Sequence, residues 1–174
     1  SKVLLQPSGF TDYGIQKLEY DSITYAGSAL QTCFSPDGKI FASITLVTAG
    51  PVVVNRLLVA DFDRCTGSLS TREYFPVHTN KNFPVFACGI AISSDSKFLY
   101  VPYDSHVYQY DLSSNNIAKS KDTVAIWDGV SDPFPTTFYT AQLGPDGKIY
   151  FAAGNGMRHM HVIEFPNKKG DDCH

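Results

Sequence analysis

Ser35-Pro36-Asp37-Gly38-Lys39 runs straight into Ile40-Phe41-Ala42-Ser43-Ile44, and variants of the same phrase return twice. Ser94-Asp95-Ser96-Lys97 leads into Phe98-Leu99-Tyr100-Val101-Pro102, and Gly144-Pro145-Asp146-Gly147-Lys148 into Ile149-Tyr150-Phe151-Ala152-Ala153. Proline presets φ at the first corner of such a turn, and aspartate hydrogen-bonds its own backbone. Glycine then accepts the positive φ that closes the hairpin. Ser96 stands where the other two turns have Gly38 and Gly147, a costlier residue for that conformation. The aspartates lie 58 and 51 residues apart, a period in the range of one propeller blade per repeat.

Further strand-like runs surround each turn. Leu30–Phe34, Cys88–Ser93 and Phe138–Leu143 precede the turns. Leu57–Asp63, Val107–Leu112 and His161–Pro166 follow the strands behind them, and Arg72–His78 and Thr123–Trp127 are candidate fourth strands. Val107, Gln109 and Asp111 alternate with Tyr108, Tyr110 and Leu112, the period of two expected of a strand. No stretch longer than ten residues sustains a helical period. The expectation is a single all-β domain over residues 1–174, propeller-like, with about three four-stranded blades. Tyr13–Tyr20 is read as one outer strand ahead of them, and the third repeat lacks its fourth.

Composition agrees. Apolar residues make up 43% of the 174, aromatics reach 13% and charged residues only 18%, a balance suited to packed sheets. The net charge of −3 provides no basic field, so nucleic acid is not an expected partner. No run approaches the roughly 20 apolar residues that span a bilayer, and no membrane insertion is expected. Ser1 opens the chain with neither a basic nor an apolar leader segment, as in a mature protein or a cut fragment. The cysteines at 33, 65, 88 and 173 have no short metal or redox spacing. Cys33 and Cys88 sit in apolar runs as buried thiols, whereas Cys65 and Cys173 fall in loops and are the candidates for a disulfide or a reactive thiol.

Several motifs in fixed order carry a family resemblance. They are Phe62-Asp63-Arg64-Cys65-Thr66-Gly67, Ser96-Lys97-Phe98-Leu99-Tyr100-Val101 and Val107-Tyr108-Gln109-Tyr110-Asp111-Leu112. Gln142-Leu143-Gly144-Pro145-Asp146-Gly147-Lys148-Ile149-Tyr150 follows, then His161-Val162-Ile163 through Pro166-Asn167, Gly170 and Cys173. Residues 57–173 resemble the β-propeller region of large secreted or surface bacterial proteins, whose later parts often carry immunoglobulin-like repeats and a C-terminal sorting domain. That resemblance implies a secreted or cell-surface repeat module rather than a reaction.

Catalytic motifs are missing: no G-x-S-x-G elbow, H-E-x-x-H, phosphate loop or dinucleotide glycine pattern occurs, and no cofactor is expected. His159 and His161 would share a strand face without a third ligand at readable spacing, so no metal site is assigned. Asp61 and Asp63 also share a face, but Asp63 suits a turn. Up-and-down strands gather the repeated turns and Arg64–Gly67 at one end. Thr48–Val52, Asn80–Phe86, Tyr103–His106, Asp128–Thr137 and Ala153–Met160 gather as irregular loops at the other. Binding belongs on such loops, and the candidates are Tyr103, Asp104, His106, Asn155, Arg158 and His159, with Phe83 and Phe134 as apolar partners. The function expected is a non-enzymatic binding or scaffolding module for a glycan or protein ligand. The alternative is a lactonase-like hydrolase fragment with its site at the central channel. Twelve strands make three blades, fewer than a closed ring needs. A two-fold homodimer completing six blades, each N-terminal strand filling the partner's third blade, is one expected resolution. A longer ring is the other.

Overall fold

The computed structural model describes residues 3–6, 9–12, 29–49, 52–77 and 89–174. Four antiparallel sheets are present among them. Strands β1 (Val3–Gln6) and β2 (Gly9–Asp12) form a hairpin. The first large sheet runs β3 (Ala29–Phe34), β4 (Ile40–Ala49), β5 (Val52–Asp63) and β6 (Ser68–Pro76) in chain order. The second runs β7 (Ala91–Ile92), β8 (Phe98–Tyr103), β9 (His106–Asp111) and β10 (Asp122–Ile126). The third has three strands, β11 (Thr140–Leu143), β12 (Ile149–Ala152) and β13 (His161–Ile163). Consecutive four-, four- and three-stranded meanders stacked face on face give an all-β, propeller-like arrangement.

Two cores hold the stack together. Ile40, Ala42 and Ile44 of β4 and Leu57 and Val59 of β5 meet Leu99 and Val101 of β8 and Tyr110 of β9. Alternation turns the next residues of the second sheet the other way. Phe98, Tyr100, Val107 and Val124 therefore pack on Ala141, Ile149, Phe151 and Ile163 of the third sheet. The middle sheet is covered on both faces, which explains why Phe98–Pro102 is buried throughout. Side chains of this size stabilise by roughly 1.5–3 kcal/mol each when fully buried.

The inner strands converge on one side chain. Gln31 Nε2 donates to Ile90 O (3.0 Å) and to Ala141 O (2.9 Å), while Ile90 N–H donates to Gln31 Oε1 (3.2 Å). One amide thus joins all three sheets. Beside it, a Cβ on Gly89 would lie 2.5 Å from both Ala141 N and Thr140 Cα, so only glycine allows the second and third sheets to approach this closely.

The repeated turns superimpose in their chemistry. Ser35 Oγ donates to Asp37 Oδ1 and accepts from the N–H groups of Lys39 and Ile40. Ser93 does the same with Asp95, Lys97 and Phe98. The equivalent of Ser35 is therefore Ser93, one residue before the serine that begins the sequence phrase. Gly38, Ser96 and Gly147 all have positive φ (69°, 64° and 81°). Gly144 replaces the serine in the third turn: a Cβ there would meet Asp146 Oδ1 and the Tyr150 ring. The Tyr150 hydroxyl fills the serine's role by donating to Asp146 Oδ2 (2.6 Å).

Beyond β13 the chain folds back on the second sheet. Tyr100 Oη donates to Pro166 O, Gln109 Nε2 to Lys168 O, and Gly170 N–H to Gln109 Oε1. A short 3-10 turn, Gly170–Cys173, follows.

Several expectations need correction. Thr48, Ala49 and Val52 belong to strands rather than to the expected irregular loop Thr48–Val52, because β4 continues to Ala49, which pairs with Val52. The first sheet's fourth strand starts at Ser68 rather than Arg72. Cys173 is not a loop thiol available for reaction: it is fully buried, and burial pushes its thiol pKa up. Cys33, Cys65 and Cys173 are all unpaired. The expected outer strand at 13–20, the thiol of Cys88 and the candidate Phe83 lie outside the described residues.

Candidate functional site

Strand direction sorts the connections into two ends. The turns at 35–39, 64–67, 93–97 and 144–148 share one end. The Asp104-Ser105 turn, the 127–139 segment and the 153–160 loop lie at the other.

At the loop end the candidates divide into two groups on opposite faces of the second sheet. Tyr103 and His106 sit on the face toward the first sheet. There the His106 ring stacks on Tyr108 at 5.9 Å, Tyr103 lies 6.1 Å from the same ring, and Lys121 Nζ is 3.6 Å above it. Burial raises the Tyr103 pKa and lowers that of Lys121, whose ammonium also donates to Val77 O. These side chains are largely engaged in packing. Asp104 occupies the turn between the groups at a φ of 52°, and its carbonyl accepts the Phe138 N–H. The expected irregular loop Tyr103–His106 is thus a tight two-residue hairpin.

The second group forms the more open site. Segment 127–136 closes on itself: Trp127 Nε1–H donates to Val130 O and to Thr136 Oγ1, and Thr136 Oγ1–H donates to Val130 O. Loop 153–160 is laced to it. Arg158 N–H donates to Asp132 O, Asn155 Nδ2 to Pro135 O, and His159 Nε2 lies 2.7 Å from Asp132 Oδ2. Arg158 Nη1 stands 3.9 Å from Asp132 Oδ1 and stays well exposed. The Phe134 ring covers Gly156 and the Tyr139 ring covers Gly154. Asn155, Arg158, His159 and Phe134 are therefore neighbours, and Asp132, which sequence reasoning missed, is the acceptor shared by Arg158 and His159.

The apolar surface here is the larger surprise. Eight large apolar side chains are exposed among the described residues, and six of them belong to this end: Ile126 (67%), Val130, Phe134 (52%), Tyr139, Met160 (62%) and Val162. Beside them a pocket of about 190 Å³ opens between β10 and β13. Ile126, Trp127, Phe138 and Phe151 wall it, with His161 and His174 at its sides. His161 Nε2–H is held by Thr136 O and His174 Nε2–H by Val124 O, so both rings have a fixed tautomer. His159 and His161 consequently have different partners. Among the described residues, no group of three His, Cys, Asp or Glu side chains is placed to hold a metal.

No family model matches the chain, and no curated protein matches it either. Among solved structures, the fold is similar to the hydrazine synthase of Kuenenia stuttgartiensis, at 19% identity and a TM-score of 0.50. That match covers 78% of this chain and 45% of the other. The β-propeller domain of Nup133 from Vanderwaltozyma polyspora matches over 72% of this chain and 36% of its own, at 12% identity and a TM-score of 0.40. The chain spans less than half the length of either. At these identities the likeness is one of fold alone.

Proposed function

We propose that this chain is a non-enzymatic binding module of an exported protein, presenting the loop end of its second and third sheets to a protein or glycan ligand. The observation that carries the reading is the gathering of Ile126, Val130, Phe134, Tyr139, Met160 and Val162 at one end, edged by Asp132, Arg158 and His159. Large apolar side chains left exposed beside charged groups are costly to keep in water and mark interaction sites. A hydrolase at the axis is the weaker alternative. The axial positions hold Gln31, Gly89, Ile90 and Ala141, and the one polar side chain among them has its amide bonded to two neighbouring strands.

A glycan array and a displayed-peptide library, both probed with the whole chain, cover the two ligand classes. Binding should weaken at least about tenfold in Arg158→Ala and in Phe134→Ala, with circular dichroism unchanged. An equal loss from Asp95→Ala, on the turn end, would move the site to the opposite face.

A further inference from the structure

The pocket beside β13 gives the loop end a specific class of partner, an inference that rests on the binding reading above. The first two large sheets have four strands and the third has three; among the described residues nothing pairs with the outer edge of β13. Register decides what that edge offers. Gly144 N–H donates to Lys148 O at 2.8 Å, and hydrogen-bonded pairs alternate along an antiparallel ladder, so Gln142 and Tyr150 form the next such pair. The main chain of Tyr150 is thereby turned toward β11. Val162, opposite Tyr150 on β13, then directs its own N–H and C=O outward to the open edge.

Facing it across the pocket is β10, another outermost strand, with its bulge at Val124. The apolar walls therefore lie beside a backbone donor and acceptor, while the Nε2–H groups of both pocket histidines are engaged by carbonyls. A sugar needs converging side-chain donors and acceptors. An extended polypeptide supplies its own backbone groups to the edge and sends alternate side chains to either face.

We propose that the β13 edge takes an extended peptide as a fourth strand of the third sheet. The peptide pairs with Val162 and seats one apolar side chain between Ile126, Trp127 and Phe138. Its signature is apolar residues at alternate positions.

A random heptapeptide library displayed on phage and selected on the whole chain tests this, with labelled winners titrated afterwards. Selected peptides should carry alternating apolar residues. Their Kd should rise at least about tenfold with Ile126→Asp, with Val162→Pro, which deletes the outward N–H, and with N-methylation of alternate peptide amides. The N-methyl series needs no protein variant, so it decides the matter should Val162→Pro fail to fold. Peptides that tolerate N-methylation and bind Ile126→Asp unchanged overturn the inference; if Phe134→Ala or Arg158→Ala still weakens them, the loop-end reading survives. A library with no binder beside a glycan array whose hits respond to Arg158→Ala has the same two consequences. A micromolar dimer by light scattering, dissociated by Ile126→Asp, assigns the edge to a second copy and likewise overturns the peptide partner.

Discussion

Ser93 is fully buried, and its hydroxyl serves three neighbours at once: it donates to Asp95 and accepts from the N–H groups of Lys97 and Phe98. Ser93→Ala leaves buried backbone donors short of their acceptor, a loss of about 2 kcal/mol. Chemical denaturation measures it, and a change below about 0.5 kcal/mol would count against the role. The residue scale also separates the cysteines. Burial pushes the Cys33 thiol up to about 12, its hydrogen bond with Ile92 only partly offsetting the effect. Cys173 is raised as well, while Cys65 stands exposed in its turn. Of the three, Cys65 alone should react with a thiol reagent at pH 8, with Cys33 and Cys173 following only on unfolding; mass spectrometry of the labelled peptides reads the order. The serine pattern was partly legible in the sequence, because turn chemistry is local. Its alignment was not: Ser94 stands closer to the repeated phrase, but the buried hydroxyl belongs to Ser93.

Among the elements, the three aspartate turns were the most readable feature, since Pro36 and Pro145 preset φ while Gly38 and Gly147 accept the positive φ that closes the turn. Two of the carboxylates, Asp37 and Asp146, make their turns sensitive to acid. The Ser35 hydroxyl holds Asp37 below the ordinary carboxylate range, and the Tyr150 hydroxyl does the same for Asp146. A depressed folded-state pKa contributes stability above the unfolded pKa that is lost as pH falls through the folded one. Thermal midpoints should therefore drop as pH is lowered from about 4 toward the folded-state values of these groups. Tyr150→Phe should flatten the Asp146 part of that dependence. A profile of the variant identical to the parent would sink the assignment. The long hairpin β4–β5 escaped sequence reading for a physical reason: Thr48-Ala49-Gly50-Pro51 has loop composition, while the pairing of Ala49 with Val52 is set by the strands on either side.

Across the whole molecule, the sheet stack followed from the alternation of buried residues, but the joint between the sheets did not. Gly89 is a glycine in a strand-like run, a pattern that hints at close approach without saying to what. Gly89→Ala would drive a methyl group into the backbone at Thr140 and Ala141. The expected cost is about 3 kcal/mol, seen as a lowered unfolding midpoint, with near-wild-type stability as the contrary result. The apolar loop end was legible only in part: Phe134, Asn155, Arg158 and His159 were marked by composition. Ile126 and Val162 read as ordinary strand residues and Met160 as the end of a loop, and their exposure emerges only in the folded chain.

The amide of Gln31 has a kinetic meaning as well as a static one. Because the same side chain holds Ile90 and Ala141, no inner strand can detach without loosening the other two. The three sheets should therefore melt as a single cooperative unit, and the Ile90 amide proton should exchange with solvent only through global opening. In Gln31→Leu that proton should exchange by local fluctuation, faster by at least about tenfold, while amides deep in β8 keep the rate set by whatever global stability remains. Native-state hydrogen exchange distinguishes the two regimes, and an Ile90 rate that merely tracks β8 in the variant would deny Gln31 this coupling role.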